Sequence, residues 1–152
     1  MQNEKIIIDN DDLALAVKAV KKAGLILKEN FGKHYRILRK SHYELVSEID
    51  LKAQRIILET LTENESPYGI ITEEKRVNHI EKKMNWIIDP LDGTHNYIAG
   101  LPFSGISIGL ADGQDFIVGV IYFPMEDQLY YAARGRGAYL NGQSISVSDN
   151  RK

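Results

Sequence analysis

The sequence has no cysteine, only four prolines, and charges that nearly cancel. Without cysteine there can be no disulfide, no thiolate nucleophile and no cysteine-ligated zinc. Nineteen basic against twenty-one acidic residues leave a formal charge of −2, so no basic field awaits a nucleic acid. The densest basic stretch, 33–40, is short and broken by apolar side chains. No run approaches the roughly 18 apolar residues of a membrane span. The N-terminus, MQNEKIIIDNDD, has three consecutive isoleucines and then acids, which is not the pattern of a signal peptide. A cytoplasmic location is expected, with no membrane or nucleic-acid partner.

The 152 residues are 43% hydrophobic and 26% charged, the balance of one globular domain with a real core. Residues 11–30 predict an amphipathic helix. Leu13, Val17, Val20, Gly24 and Leu27 recur at three- and four-residue steps, and acids from Asp9 to Asp12 suit its N-terminus. A second helix is expected from about Ser47 to Leu61, with Ile49, Ala53, Ile56, Ile57 and Leu61 inward and Ser47 and Asp50 forming a capping box. The period then shortens. Tyr68 to Thr72 and Trp86 to Asp89 read as buried strands ending in acids. Ser104 to Ala111, Phe116 to Phe123, Leu129 to Ala132 and a short pair around Asn141-Gly142 follow. Asp112-Gly113 and Asn141-Gly142 are hairpin turns between strand runs. The order predicts an α+β fold: two N-terminal helices packed on one face of a largely antiparallel sheet.

The chemistry concentrates in Trp86-Ile-Ile-Asp-Pro-Leu-Asp-Gly-Thr-His-Asn-Tyr97. A buried strand delivers Asp89, and Pro90, having no N–H, is expected to stop that strand. Asp92, Gly93 and Thr94 then turn toward a short helix. Two carboxylates three residues apart on a rigid turn suit hard cations such as magnesium, and the Gly93 and Thr94 amides at a helix start suit a phosphate. Two further apolar runs end in acids: Ile70-Ile-Thr-Glu-Glu74, where adjacent like charges call for solvent or a cation, and Leu45-Val-Ser-Glu-Ile-Asp50, where capping alone would account for Ser47 and Asp50.

The string WIIDPLDGTHNY closely resembles the signature of the inositol monophosphatase family, within the wider fructose-1,6-bisphosphatase superfamily. LVSEID, ITEE, GLPFSGISIGLADG, GVIYFP and LYYAARGRGAYLNGQSISVS extend the likeness over nearly the whole chain. The resemblance implies a magnesium-dependent phosphomonoesterase using two or three ions. Glu73, Asp89 and the Leu91 carbonyl would hold the first ion, and Asp89 with Asp92 a second. Gly93 and Thr94 would bind the substrate phosphate. The Thr94 hydroxyl, oriented by Asp50, and Glu73 would position and help deprotonate the attacking water. The expected substrate is a small phosphorylated metabolite, most simply an inositol monophosphate. Fructose 1,6-bisphosphate, a 3′-phosphoadenosine nucleotide or NADP are alternatives, and a non-catalytic interaction module is the rival outside enzymes. The Asn96-Tyr97 ending favours the inositol group. A homodimer is implied for the complete protein.

Two positions depart from the family pattern: Thr72 stands where glycine is common, and His95 where a second threonine is common. His34, His42 and His79 have no ligand spacing. Family members are also much longer. The resemblance therefore implies that 1–152 is the N-terminal metal-binding half of the layered family sandwich. A C-terminal α/β half, supplied in cis or in trans, would carry another metal-binding Asp and most specificity residues.

Overall fold

The computed structural model describes residues 10–39, 45–63, 66–72 and 82–148. Helix α1 (Asp11–Asn30) is capped by Asn10, whose side chain accepts from the Leu13 amide at 2.9 Å, and Asp11 and Asp12 place negative charge on its first turn. Strands β1 (Ile37–Arg39) and β2 (Leu45–Ser47) form a small antiparallel ladder of their own. Helix α2 (Glu48–Thr62) follows directly, with Ser47 as its N-cap. The main sheet holds β3 (Gly69–Thr72), β4 (Met84–Asp92), β5 (Gly105–Asp112), β6 (Asp115–Phe123), β7 (Gln128–Ala133), β8 (Ala138–Leu140) and β9 (Gln143–Ile145). These seven strands lie side by side in chain order. Every pairing is antiparallel except β3 with β4. The single-turn helix α3 (Thr94–Ile98) interrupts the run between β4 and β5.

The expected α+β architecture is the one observed. Helix α1 packs on α2 and crosses β5, β6 and β7, while α2 covers β4. Leu13, Val17, Val20, Gly24 and Leu27 are all buried, as are Ile49, Ala53, Ile57 and Leu61; Ile56 sits half-buried at the margin. Beneath them lie Trp86, Ile88, Ile106, Ile108, Leu110, Val118 and Val120. At Gly24 α1 lies tight against the sheet: a Cβ there would stand 2.4 Å from the Tyr122 ring. The Asn141-Gly142 turn has φ of 47° and 82°, the doubly positive geometry of a tight hairpin.

The opposite face of the sheet carries no helix from the described residues. Along one row the register runs Ile87, Gly109, Gly119, Ala132, Ala138, Ile145. Small residues floor an open apolar trough of about 400 Å³, walled by Phe116, Ile121 and Tyr130. The neighbouring row runs Asp89, Ser107, Ile121, Tyr130, Leu140, which puts Asp89 on the same face at the rim. Among the described residues, no helix is long and apolar enough to cross a membrane.

One local expectation needs revision, and one element had no counterpart in the sequence reading. Pro90 does not stop the strand, because β4 continues to Asp92. Asp89 pairs with Ser107 and Asp92 with Gly105, so three steps on β4 answer two on β5. This is a bulge, a place where the ladder tolerates a residue without an N–H. The β1–β2 ladder was not foreseen: its three-residue strands lie in and just beyond the basic stretch and show no period of their own.

Candidate active site

The bulge is what gathers the site. Extra backbone at Pro90 and Leu91 breaks the strict alternation of β4, so the segment ends on a short shelf instead of running straight. The Leu91 side chain is buried, Asp89 is half-buried and Asp92 is exposed. The Leu91 amide donates to Asp89 Oδ1 at 3.2 Å, which ties the carboxylate back onto the shelf.

Gly93 then makes the corner. Its φ of 79° lies in the left-handed region that favours glycine, and a Cβ would lie 2.7 Å from the Phe103 carbonyl oxygen. Gly93 is the N-cap of α3, and its carbonyl accepts the first helical bond, from the Tyr97 amide at 3.0 Å. The Asn96 side chain donates to the Phe103 carbonyl at 2.8 Å, closing the loop that returns to β5.

Thr94 begins α3. Its hydroxyl lies 3.1 Å from Asp50 Oδ1 and 2.9 Å from the Leu91 carbonyl oxygen, so one proton has two acceptors. Asp50, buried at the third position of α2, uses its other oxygen for the capping box. Oδ2 accepts from the Ser47 amide at 2.8 Å and from the Ser47 hydroxyl in a short bond. Capping and contact with Thr94 are therefore not alternatives: one carboxylate does both, with one oxygen for each. The residue pattern alone showed Asp50 as a cap, and the link to Thr94 was implied only by the family resemblance.

Glu73 lies outside the described residues. Strand β3 ends at Thr72, which is paired with Ile88, one residue before Asp89 on β4. Among the described residues, no group of three or more acidic or histidine side chains forms a metal cluster. The donors that follow one another along the shelf, the Asp89 and Asp92 carboxylates and the Leu91 carbonyl, are all hard oxygens. Oxygen donors of this kind are the ligands magnesium takes. His95 is exposed, and so is His34; His42 and His79 fall outside the described residues.

Two features of the site had weaker signals in the sequence. Tyr97 is fully buried, and its hydroxyl donates to the Leu27 carbonyl at 2.7 Å. Burial, then the nearby Tyr35 and Asp50, push its ionisation well above the ordinary phenol range, so it stays a donor. Ser104 is buried beside Gly93, with no partner for its hydroxyl among the described residues.

The profile of the Inositol monophosphatase family matches residues 9–152. The chain belongs to the inositol monophosphatase family. It is 40% identical over 140 residues to a fructose-1,6-bisphosphatase/inositol-1-monophosphatase of Aquifex aeolicus, covering 91% of this chain and 53% of that protein. It is 37% identical over 142 residues to a Xylella fastidiosa protein called Nus factor SuhB, covering 91% and 50%. Among solved structures, the Thermotoga maritima IMPase superposes with a TM-score of 0.85 at 32% identity, over 93% of this chain and 55% of that one. The chain thus spans about half the length of the relatives it matches.

Proposed function

We propose that residues 1–152 form the N-terminal metal-binding domain of a magnesium-dependent phosphomonoesterase, with an inositol monophosphate as the preferred substrate. The observation that carries this reading is the shelf itself. Asp89, Leu91, Asp92 and Gly93 stand in sequence on a bulged strand end, and the next residue, Thr94, is hydrogen-bonded to a buried carboxylate from another helix. A surface turn has no need of such a cross-link.

Asp89 and Asp92, with the Leu91 carbonyl and Glu73, would hold the ions. Bound magnesium would supply positive charge against the phosphate and make a coordinated water more acidic. The chain's own contribution is orientation. With its proton directed to Asp50, the Thr94 hydroxyl presents lone pairs that can accept from water and aim its oxygen at phosphorus. The Gly93 and Thr94 amides would take phosphate oxygens. Glu73 would help take the proton of the attacking water as the new P–O bond forms and the ester P–O bond breaks, in line. The alkoxide leaves as the alcohol with a proton from solvent. No covalent enzyme intermediate is required.

The apolar trough supports the second half of the proposal. With Asp89 at its rim, this face would receive a further layer corresponding to the relatives' other half, in cis or in trans, bringing another carboxylate to the second ion. Dimerisation of the complete protein belongs to the same reading. Fructose 1,6-bisphosphate is the alternative substrate that the Aquifex relative's name favours. A non-catalytic interaction module is the alternative outside enzymes.

The test is phosphate release from inositol 1-phosphate and a panel of sugar and nucleotide phosphates, with magnesium. The 152-residue chain alone is expected to turn over poorly and to associate through its apolar face. Adding a C-terminal half in trans should raise turnover and suppress association. Full activity from the chain alone would refute the proposed division. Silence of the reconstituted pair on every substrate would favour the interaction module.

A further inference from the structure

Helix α3 has only five residues and cannot be stable by itself, yet it carries the hydroxyl on which the proposed chemistry depends. It packs on β2 and is tied by Asn96 to the Phe103 carbonyl, and its buried anchor on α1 is Tyr97. The Tyr97 ring packs edge-on against Phe31, with centroids 5.5 Å apart, and tilted against Tyr35 at 5.7 Å. The acceptor of its hydroxyl, Leu27, lies in the last turn of α1, where carbonyls lack intrahelical partners and need a donor from elsewhere. The Tyr35 hydroxyl donates in turn to the Tyr97 carbonyl at 3.3 Å. Ring burial alone would be served as well by phenylalanine, which has no polar atom to satisfy. What the hydroxyl adds is a fixed separation between the end of α1 and α3.

We propose that Tyr97 is a positioning residue that, by clamping α3 to the last turn of α1, holds the Thr94 hydroxyl in register with Asp50. Asp50 rides on α2, and α2 is packed on α1. The Thr94–Asp50 contact therefore closes a loop through α1, Tyr97 and α3. If the strut is removed, α3 can rock about Gly93, and the Thr94 side chain is free to leave the one rotamer that meets Asp50. The inference rests on the reading that Thr94 directs the attacking water, but its structural half can be tested without turnover.

The variant is Tyr97→Phe in the 152-residue chain, with Tyr68→Phe as control. The control loses a tyrosine bond of similar kind, from Tyr68 to Asp12 at 3.1 Å, outside the site. The three-bond couplings to the Thr94 methyl report its rotamer. They should show one rotamer in the native chain and in Tyr68→Phe, and averaging in Tyr97→Phe. Unchanged couplings in Tyr97→Phe would overturn the proposal. If that variant fails to fold, Tyr35→Phe, which removes the second strut, is read in the same way.

With the C-terminal half added, Tyr97→Phe should lower kcat about tenfold with KM within about twofold, as expected when only transition-state contacts are lost. In a Thr94→Val background it should cost nothing more. An equal loss in that background means the hydroxyl only stabilises the fold, and the inference fails. If Thr94→Val itself leaves turnover intact, the reading of Thr94 is wrong, whatever the couplings show.

Discussion

Replacing Asp50 by asparagine changes one charge and almost no volume, and its consequence can be worked out atom by atom. The Ser47 amide can only donate, so the new side-chain carbonyl oxygen must take the Oδ2 position, 2.8 Å from that nitrogen. The new amino group then faces Thr94 Oγ1 in place of Oδ1. The contact survives only if the Thr94 proton swings to the Leu91 carbonyl, already 2.9 Å away. Heavy atoms stay in place while the polarity of the Thr94 contact reverses. Bonds to a charged acceptor contribute about 1 kcal/mol more than neutral ones. Three such bonds, two to Ser47 and one to Thr94, plus a few tenths from the first turn of α2, put the stability loss at about 3 kcal/mol. A plain exposed cap would lose less, since asparagine and aspartate cap almost equally well. Turnover should fall at least about tenfold, or roughly 1.4 kcal/mol in the barrier, because a Thr94 lone pair now accepts from the introduced amino group instead of from water. Urea denaturation gives the first number and phosphate release by the reconstituted pair gives the second. A variant as stable as the native chain, or one that is less stable but equally fast, would refute the shared-carboxylate reasoning.

Gly93→Ala combines an unfavourable positive φ with a Cβ 2.7 Å from the Phe103 carbonyl. It should cost at least about 1–3 kcal/mol in denaturant titrations and displace α3; a stable, fully active variant would contradict the corner assigned to Gly93. Tyr122→Phe tests the anchor of the β6–β7 turn, where the Tyr122 hydroxyl donates to Asp127 at 2.6 Å and Lys28 lies 3.3 Å from the same oxygen. The Tyr122 bond first, then Lys28, hold the Asp127 carboxyl below its ordinary 3.8, so this stabilisation is present above that pH and is lost as pH falls through the lowered value. The stability gap between native and Tyr122→Phe chains should be under about 1 kcal/mol, as for exposed charges. It should narrow below about pH 4; a gap that widens there would reverse the assignment.

Much of this fold was legible because its elements are long or strictly periodic. Helix α1 shows its buried stripe residue by residue, and the Asn141-Gly142 dipeptide specifies its hairpin. The β1–β2 ladder was hidden because three residues are too few to show a period. Pro90 misled for a physical reason: proline forbids a ladder bond only where one is required, and in a bulge it is not. The ligand shelf could be read from the order Asp89, Leu91, Asp92, Gly93, Thr94, since adjacent residues on a rigid turn must share a neighbourhood. The links from Thr94 to Asp50 and from Tyr97 to Leu27 could not, because they span 44 and 70 positions and depend on how α1, α2 and α3 pack. The family resemblance supplied the first of these links but not the second.

Whether Asp89 holds magnesium for phosphate-ester hydrolysis is decided by an Asp89→Asn substitution in the reconstituted pair. Asp89 sits on the rim of the sheet outside the packed core, so the variant should keep its circular dichroism and its association with the C-terminal half. With magnesium saturating, phosphate release from inositol 1-phosphate should be abolished. Turnover near the native rate by a well-folded Asp89→Asn protein would contradict the account.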